Sequence, residues 1–214
     1  MLMRRDGSSL VADRLCDQAE GQNTAVTCFY FDLAARNEQS ATSMLGSLLK
    51  QVVSGMETIP GEISQTFQEH KKTMGGRRPQ LPTVVEMLQA ITSSQPTFIC
   101  IDALDECAGA QRVRLLNSLN QILEKSPDTR VFATGRPYVR DEIEERLAGR
   151  VTSVSISPTE GDITTYLSVR LREDETPAEM DESLKAAILE KISQNISEMW
   201  VGTIVLRIQR QILR

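Results

Sequence analysis

The sequence predicts an α/β fold in which a parallel sheet is flanked by helices and followed by a C-terminal helical subdomain. Three observations predict it. Phe98 to Cys107, FICIDALDEC, is an apolar run that stops on the acids Asp102, Asp105 and Glu106. Apolar runs of this kind read as strands covered on both faces, with a ligand crevice at their C-terminal ends. Extended and helical patterns alternate through the first three-quarters of the chain, and the remainder is helical in pattern.

The elements follow in order. Residues 8 to 19 carry a helical pattern, and Ala25 to Phe31 reads as a buried strand closing on Asp32. Met44, Leu45, Leu48, Leu49, Val52 and Val53 form pairs four apart, one face of an amphipathic helix, with Ser40 or Thr42 as cap and Gly55 beyond its end. Residues 56 to 81 read as a looser insert. Thr83-Val84-Val85-Glu86, after Pro82, has the form of a capping box and starts a helix through about Thr92. Beyond the acidic strand, Val113, Leu115, Leu116, Leu119, Ile122 and Leu123 predict a helix ended by Ser126-Pro127-Asp128.

A short strand spans Arg130 to Thr134, and Gly135-Arg136-Pro137 breaks it. A helix carries Ile143 and Leu147, and Val151 to Ile156 is the last predicted strand. Helices are then expected around Ile163 to Leu171, after an Asp181 cap through Ile192, and from Ile196 to Leu213. This organisation divides the chain into a core, 1–157, and a helical subdomain, 158–214.

Composition narrows the function. The 214 residues are 40% apolar and 25% charged, with 24 basic against 29 acidic side chains and a net charge of −5. Such a balance does not attract nucleic acid or an anionic membrane, and no stretch reaches the roughly 20 apolar residues of a membrane span. The four cysteines, Cys16, Cys28, Cys100 and Cys107, contain no C-x-x-C pair, so neither a disulfide framework nor a zinc site is expected. A reducing, cytoplasmic setting follows. His70 stands alone, and Lys71-Lys72 with Arg77-Arg78 reads as a solvated linker.

The chemistry gathers at strand tips. Asp102 would reach a Mg²⁺ directly or through water, since this ion takes few protein ligands and keeps several waters. Asp105 and Glu106 lie where a carboxylate orients or deprotonates a water. The same segment also reads as a plain strand-to-helix loop whose acid caps the next helix. Arg136, at the tip of the following strand, is placed to bind a terminal phosphate bidentately, or to stand solvated in a turn.

FICIDALDEC followed by RVFATGRP at Arg130 to Pro137 resembles the Walker B and sensor pair of NACHT-type STAND nucleoside triphosphatases, in the variant of fungal NOD-like receptors and nephrocystin-like N-terminal modules. TCFYFD, SMLGSLLKQVV, ISPTEGDITTYL and ISEMWVGTIVLRIQRQI resemble successive blocks of that module. The resemblance implies a P-loop NTPase-like parallel sheet, with Asp102 as Mg²⁺ ligand, Asp105 and Glu106 as acids that polarise water, and Arg136 as sensor. It implies ATP or ADP with Mg²⁺ as cofactors and a switch that self-associates or acts on other protein domains.

The resemblance departs at the N-terminus. No segment reads G-x-x-x-x-G-K-[ST]. Gly7 and Ser9 match the last glycine and the Mg²⁺-binding hydroxyl, which puts Ser8 where the lysine belongs. The expectation is a fragment or degenerate member of the family that, as the chain stands, binds ATP poorly or not at all and is inactive as a hydrolase. The alternative is a non-catalytic interaction module on the same fold. With the P-loop strand absent, the strands at 130–134 and 151–156 are expected to leave exposed edges.

Overall fold

The computed structural model describes residues 7–35, 38–56, 58–59, 61–73, 79–147, 150–156, 159–172, 181–194 and 203–208. The chain separates into two compact units, Met1–Val154 with Ile204–Arg214, and Ser155–Thr203.

The first unit is α/β. Its strands are β1 (Ala25–Tyr30), β2 (Thr97–Asp102), β3 (Thr129–Ala133), β4 (Val151–Ile156) and β5 (Thr203–Ile208), in sheet order β1-β2-β3-β5-β4. β1, β2 and β3 are parallel neighbours, so the first three strands form the expected parallel sheet flanked by helices. The helices of this unit are α1 (Gly7–Ala19), α2 (Ala41–Ser54), α3 (Gly61–Thr73), α4 (Leu81–Ser94), α5 (Gly109–Lys125) and α6 (Arg140–Arg146).

Strand alternation gives the sheet two unlike faces. Thr27, Ile99, Ile101, Val131 and Ala133 point to one side and are almost wholly buried. There the four apolar ones join Met44, Leu45 and Leu48 of α2, Leu88 of α4, and Leu115, Leu116, Leu119 and Ile122 of α5, in one apolar cluster. The predicted apolar face of α2 is thus the face that meets the sheet. The other face carries Cys28, Tyr30, Phe98, Cys100, Asp102 and Arg130, with α1 lying on β1 and β2 and the Arg130 guanidinium 5.8 Å from the Phe98 ring centre.

Local signals account for most boundaries. Ser40 caps α2 by accepting from the Ser43 N–H at 3.1 Å. Ser126, fully buried, ends α5 and shares a hydrogen bond of 2.6 Å with Thr92 of α4, so the predicted stop also ties two helices together. β1 is an edge strand, and the Gln51 side chain covers that edge by accepting from the Cys28 N–H at 2.9 Å and donating to its carbonyl at 2.8 Å.

Three expectations are corrected. The insert at 56–81 contains a full helix, α3, whose Ile63 packs with Val52 and Ile91. α4 starts at Leu81 with Pro82 in its first turn and no side-chain cap, so Thr83 and Glu86 lie inside the helix rather than forming a capping box. The third correction concerns the C-terminal block, where Thr203–Ile208 is a strand, not helix. β5 runs antiparallel to β3, with Val131 opposite Ile208 and Ala133 opposite Leu206, and fills the slot between β3 and β4. The exposed edges expected there are paired. Met199, Trp200 and the Arg77-Arg78 pair lie outside the described residues.

The second unit contains α7 (Glu160–Arg172) and α8 (Glu182–Gln194), the former begun by Thr159 and Asp162 bonding each other and the latter by Asp181 accepting from the Leu184 N–H at 2.7 Å. No helix among the described residues is long and apolar enough to cross a membrane.

Candidate functional site

The acidic tip is built where β2 and β3 end side by side. The last register pair is Ile101 with Ala133, which sets Asp102 beside Thr134. Thr134 closes the junction with all its polar atoms. Its N–H donates to the Ile101 carbonyl at 2.9 Å, and its own carbonyl accepts from the Leu104 N–H at 2.8 Å. Its hydroxyl accepts from the Ala103 N–H at 3.0 Å and donates to Asp102 Oδ1 in a short hydrogen bond.

This clasp holds an unusual backbone. Ala103 has φ 55° and ψ 47°, the one non-glycine residue with positive φ among the described residues. A left-handed alanine costs about 1–2 kcal/mol and persists only where surrounding bonds over-determine it. Here it turns the chain sharply away from the sheet, so that Asp102 ends β2 while Leu104–Glu106 begins a short 3₁₀ turn.

In that turn Leu104 is buried in the core, Asp105 is buried, and Glu106 is half-buried. Asp105 faces the Gly135-Arg136-Pro137 break. Its Oδ1 accepts from the Arg136 N–H at 3.2 Å, its Oδ2 lies 3.4 Å from Arg136 Nε, and its carbonyl accepts from the Tyr138 hydroxyl at 3.2 Å. Gly135 lies close under this loop: a Cβ there would stand 3.1 Å from Val139 Cγ2, a tight approach, and 3.5 Å from the Asp105 carboxylate, an ordinary contact. The Arg136 side chain stays 70% exposed, so its guanidinium is anchored through one nitrogen and open on the other side.

Asp102, Asp105, Glu106 and Arg136 therefore come together at one end of the parallel strands. Asp32, expected to close β1, lies at the same end, turned by its own carboxylate accepting from the Ala34 N–H at 2.9 Å. Gly7 and Ser9 form the first turn of α1, which returns through the short Glu20–Thr24 connection into β1. That reversal carries the helix start to the same end of the sheet. The Ser9 side chain lies outside the described residues. Sequence reasoning missed Thr134 and the bend at Ala103; the signal available was a hydroxyl residue directly before the Gly-Arg-Pro break.

The donor set suits few ions. Among the described residues no three His, Cys, Asp or Glu side chains stand close enough to cage a metal. One half-buried carboxylate with a free oxygen fits Mg²⁺, which is held by one or two carboxylates plus phosphate oxygens and water, and does not fit zinc or calcium.

Residues 6–136 match the family model for the N-terminal region of nephrocystin 3, a span running from just before α1 to Arg136 and covering more than half of the chain. Among curated proteins and among solved structures nothing matches significantly.

Proposed function

The chain belongs to the nephrocystin 3 N-terminal family, and on that premise we propose that it is a nucleotide-responsive signalling module of the NACHT type whose magnesium corner is retained and whose phosphate grip is weak. The observation that carries this reading is Asp102, held at the C-terminal end of a parallel strand by the Thr134 hydroxyl and a left-handed Ala103. A bent, clasped carboxylate is pre-organised for a ligand in a way that a solvated loop acid is not.

Each residue then has a role. Asp102 holds Mg²⁺ directly or through water, and the ion, when bound, neutralises charge on the phosphate oxygens. Asp105 and Glu106 are the acids beside the water, and Asp105 also fixes the Arg136 backbone and guanidinium. Arg136 turns its open side to a terminal phosphate. The backbone N–H groups of the first turn of α1, at Gly7 to Ser9, offer a weak anion site. No lysine stands between Gly7 and Ser9, since Ser8 occupies that place. A charge-assisted hydrogen bond is worth about 1.5–3 kcal/mol, so each one missing weakens nucleotide binding by roughly tenfold or more.

Calorimetric titration of the chain with ATP and Mg²⁺ tests this. A weak isotherm that requires Mg²⁺ and disappears in Asp102→Asn is expected; tight binding indifferent to Asp102→Asn would sink the assignment. A second reading, a non-catalytic module acting through protein partners or self-association, draws on Asp105. Both of its oxygens are engaged by Arg136, as in a loop anchor. In that case no heat of nucleotide binding appears at all.

A further inference from the structure

Beneath the acidic tip, on the sheet face covered by α1, two cysteines stand opposite each other. β1 and β2 run parallel with Cys28 directly across from Cys100, two residues before the Tyr30–Asp102 pair. Neighbouring strands lie about 4.7–4.9 Å apart, and a disulfide spans Cα separations of about 4.4–6.8 Å. The Cys28 backbone is fixed by the Gln51 amide on both its N–H and its carbonyl.

The surroundings make the two sulfurs unequal. Cys28 is half-buried and Cys100 is 5% exposed. The neighbouring Cys100 thiol, helped by the Tyr30 hydroxyl, holds the Cys28 thiol below the ordinary range, although burial and the Asp13 carboxylate act the other way. Tyr30 is pushed up first by burial and then by Cys28, so it remains a hydroxyl donor. Cys16, the exposed cysteine of α1, is raised by burial of its sulfur, by Cys28 and by Asp13 and Asp17.

We propose that Cys28 and Cys100 form an oxidative modification site, with Cys28 the nucleophile toward a hydroperoxide and Cys100 the resolving thiol. The Cys28 thiolate attacks one peroxide oxygen and the O–O bond breaks. Sulfur keeps that oxygen as a sulfenic acid, and the other oxygen takes a proton and leaves as water or an alcohol. The Cys100 sulfur then attacks the Cys28 sulfur, the S–O bond breaks, and water departs with the Cys100 proton. Two thiols are oxidised to one disulfide and one peroxide is reduced.

The full chain, reduced and then freed of reductant, is exposed to limiting hydrogen peroxide and digested on the N-terminal side of aspartates, which separates Cys16 from Cys28 at Asp17 and Cys100 from Cys107 at Asp102 and Asp105. The expected product is a Cys28–Cys100 linked pair lighter by two hydrogens. It persists in Cys16→Ser and is lost in Cys28→Ser, while in Cys100→Ser a dimedone adduct accumulates on Cys28. A linkage through Cys16 or Cys107, or a dimedone adduct on Cys16 instead of Cys28, overturns the proposal. A measurement on the unsubstituted chain stands apart from any folding defect in the variants. Under native conditions at neutral pH, iodoacetamide should modify Cys28 several-fold faster than the more exposed Cys16, and the reverse order overturns the assignment of the nucleophile.

Discussion

Thr134 places its hydroxyl between the Ala103 N–H, from which it accepts, and the Asp102 carboxylate, to which it donates. A valine of similar shape would leave both partners without that oxygen in a half-buried place. An unmet buried polar group costs about 1–3 kcal/mol, so Thr134→Val should lower the unfolding free energy by that amount, read as a lower urea midpoint with an unchanged slope, whereas Thr134→Ser should stay close to the parent. Equal stability of the valine and serine variants would mean that the hydroxyl does not hold the bend. At this scale the acids were legible in the sequence, because an apolar run ending on Asp102 states where a strand stops. Their partners were not. Thr134 reaches Asp102 across a separation of 32 residues, and no local pattern encodes which hydroxyl a neighbouring strand will bring alongside. The division of labour between the carboxylates was equally hidden, since Asp105 differs from Glu106 only in what the Gly135-Arg136 backbone presents to it.

Helices with strong apolar periodicity formed where their pattern placed them. Met44, Leu45, Leu48 and Val52 are buried in α2, and Leu115, Leu116, Leu119, Ile122 and Leu123 in α5. α3 escaped notice because it buries little of its surface; Ile63 is core while Phe67 is half exposed, so it lacks a wide apolar stripe. β5 is the larger divergence. Its block alternates between helical spacing and the β-branched run Thr203-Ile204-Val205, and either reading is open locally. The sheet settles the choice, because unpaired backbone groups along β3 and β4 gain a full ladder from a strand and nothing from a helix. A proline cannot donate to a ladder, and β5 has a neighbour on each side. Leu206→Pro should therefore destabilise the first unit by at least about 1–3 kcal/mol, read as a lowered thermal midpoint by circular dichroism. An unshifted midpoint would mean that this strand contributes nothing to the fold.

Across the molecule, one apolar cluster links β1, β2 and β3 with α2, α4, α5 and α6, which makes the first unit a cooperative body. Leu88, fully buried at its centre, should cost about 2–5 kcal/mol when cut to alanine, and the whole sheet should melt earlier together rather than fraying at one edge. Two independent transitions within this unit would contradict a shared core. The family membership and the acidic tip bear on the same body, since the matched residues 6–136 contain β1, β2, β3 and the Arg136 loop. The sequence by itself determined the parallel α/β order of the first three strands, the helices with wide apolar faces and the acids at the end of β2, because hydrophobic period and abrupt polarity changes are properties of neighbouring residues. Only the tertiary structure decided the left-handed bend at Ala103, the Thr134 clasp, the Asp105–Arg136 pairing, the facing of Cys28 and Cys100, and the antiparallel strand between β3 and β4. Each of those depends on which distant segment supplies a partner for a buried polar group, and that pairing exists only once the sheet has assembled.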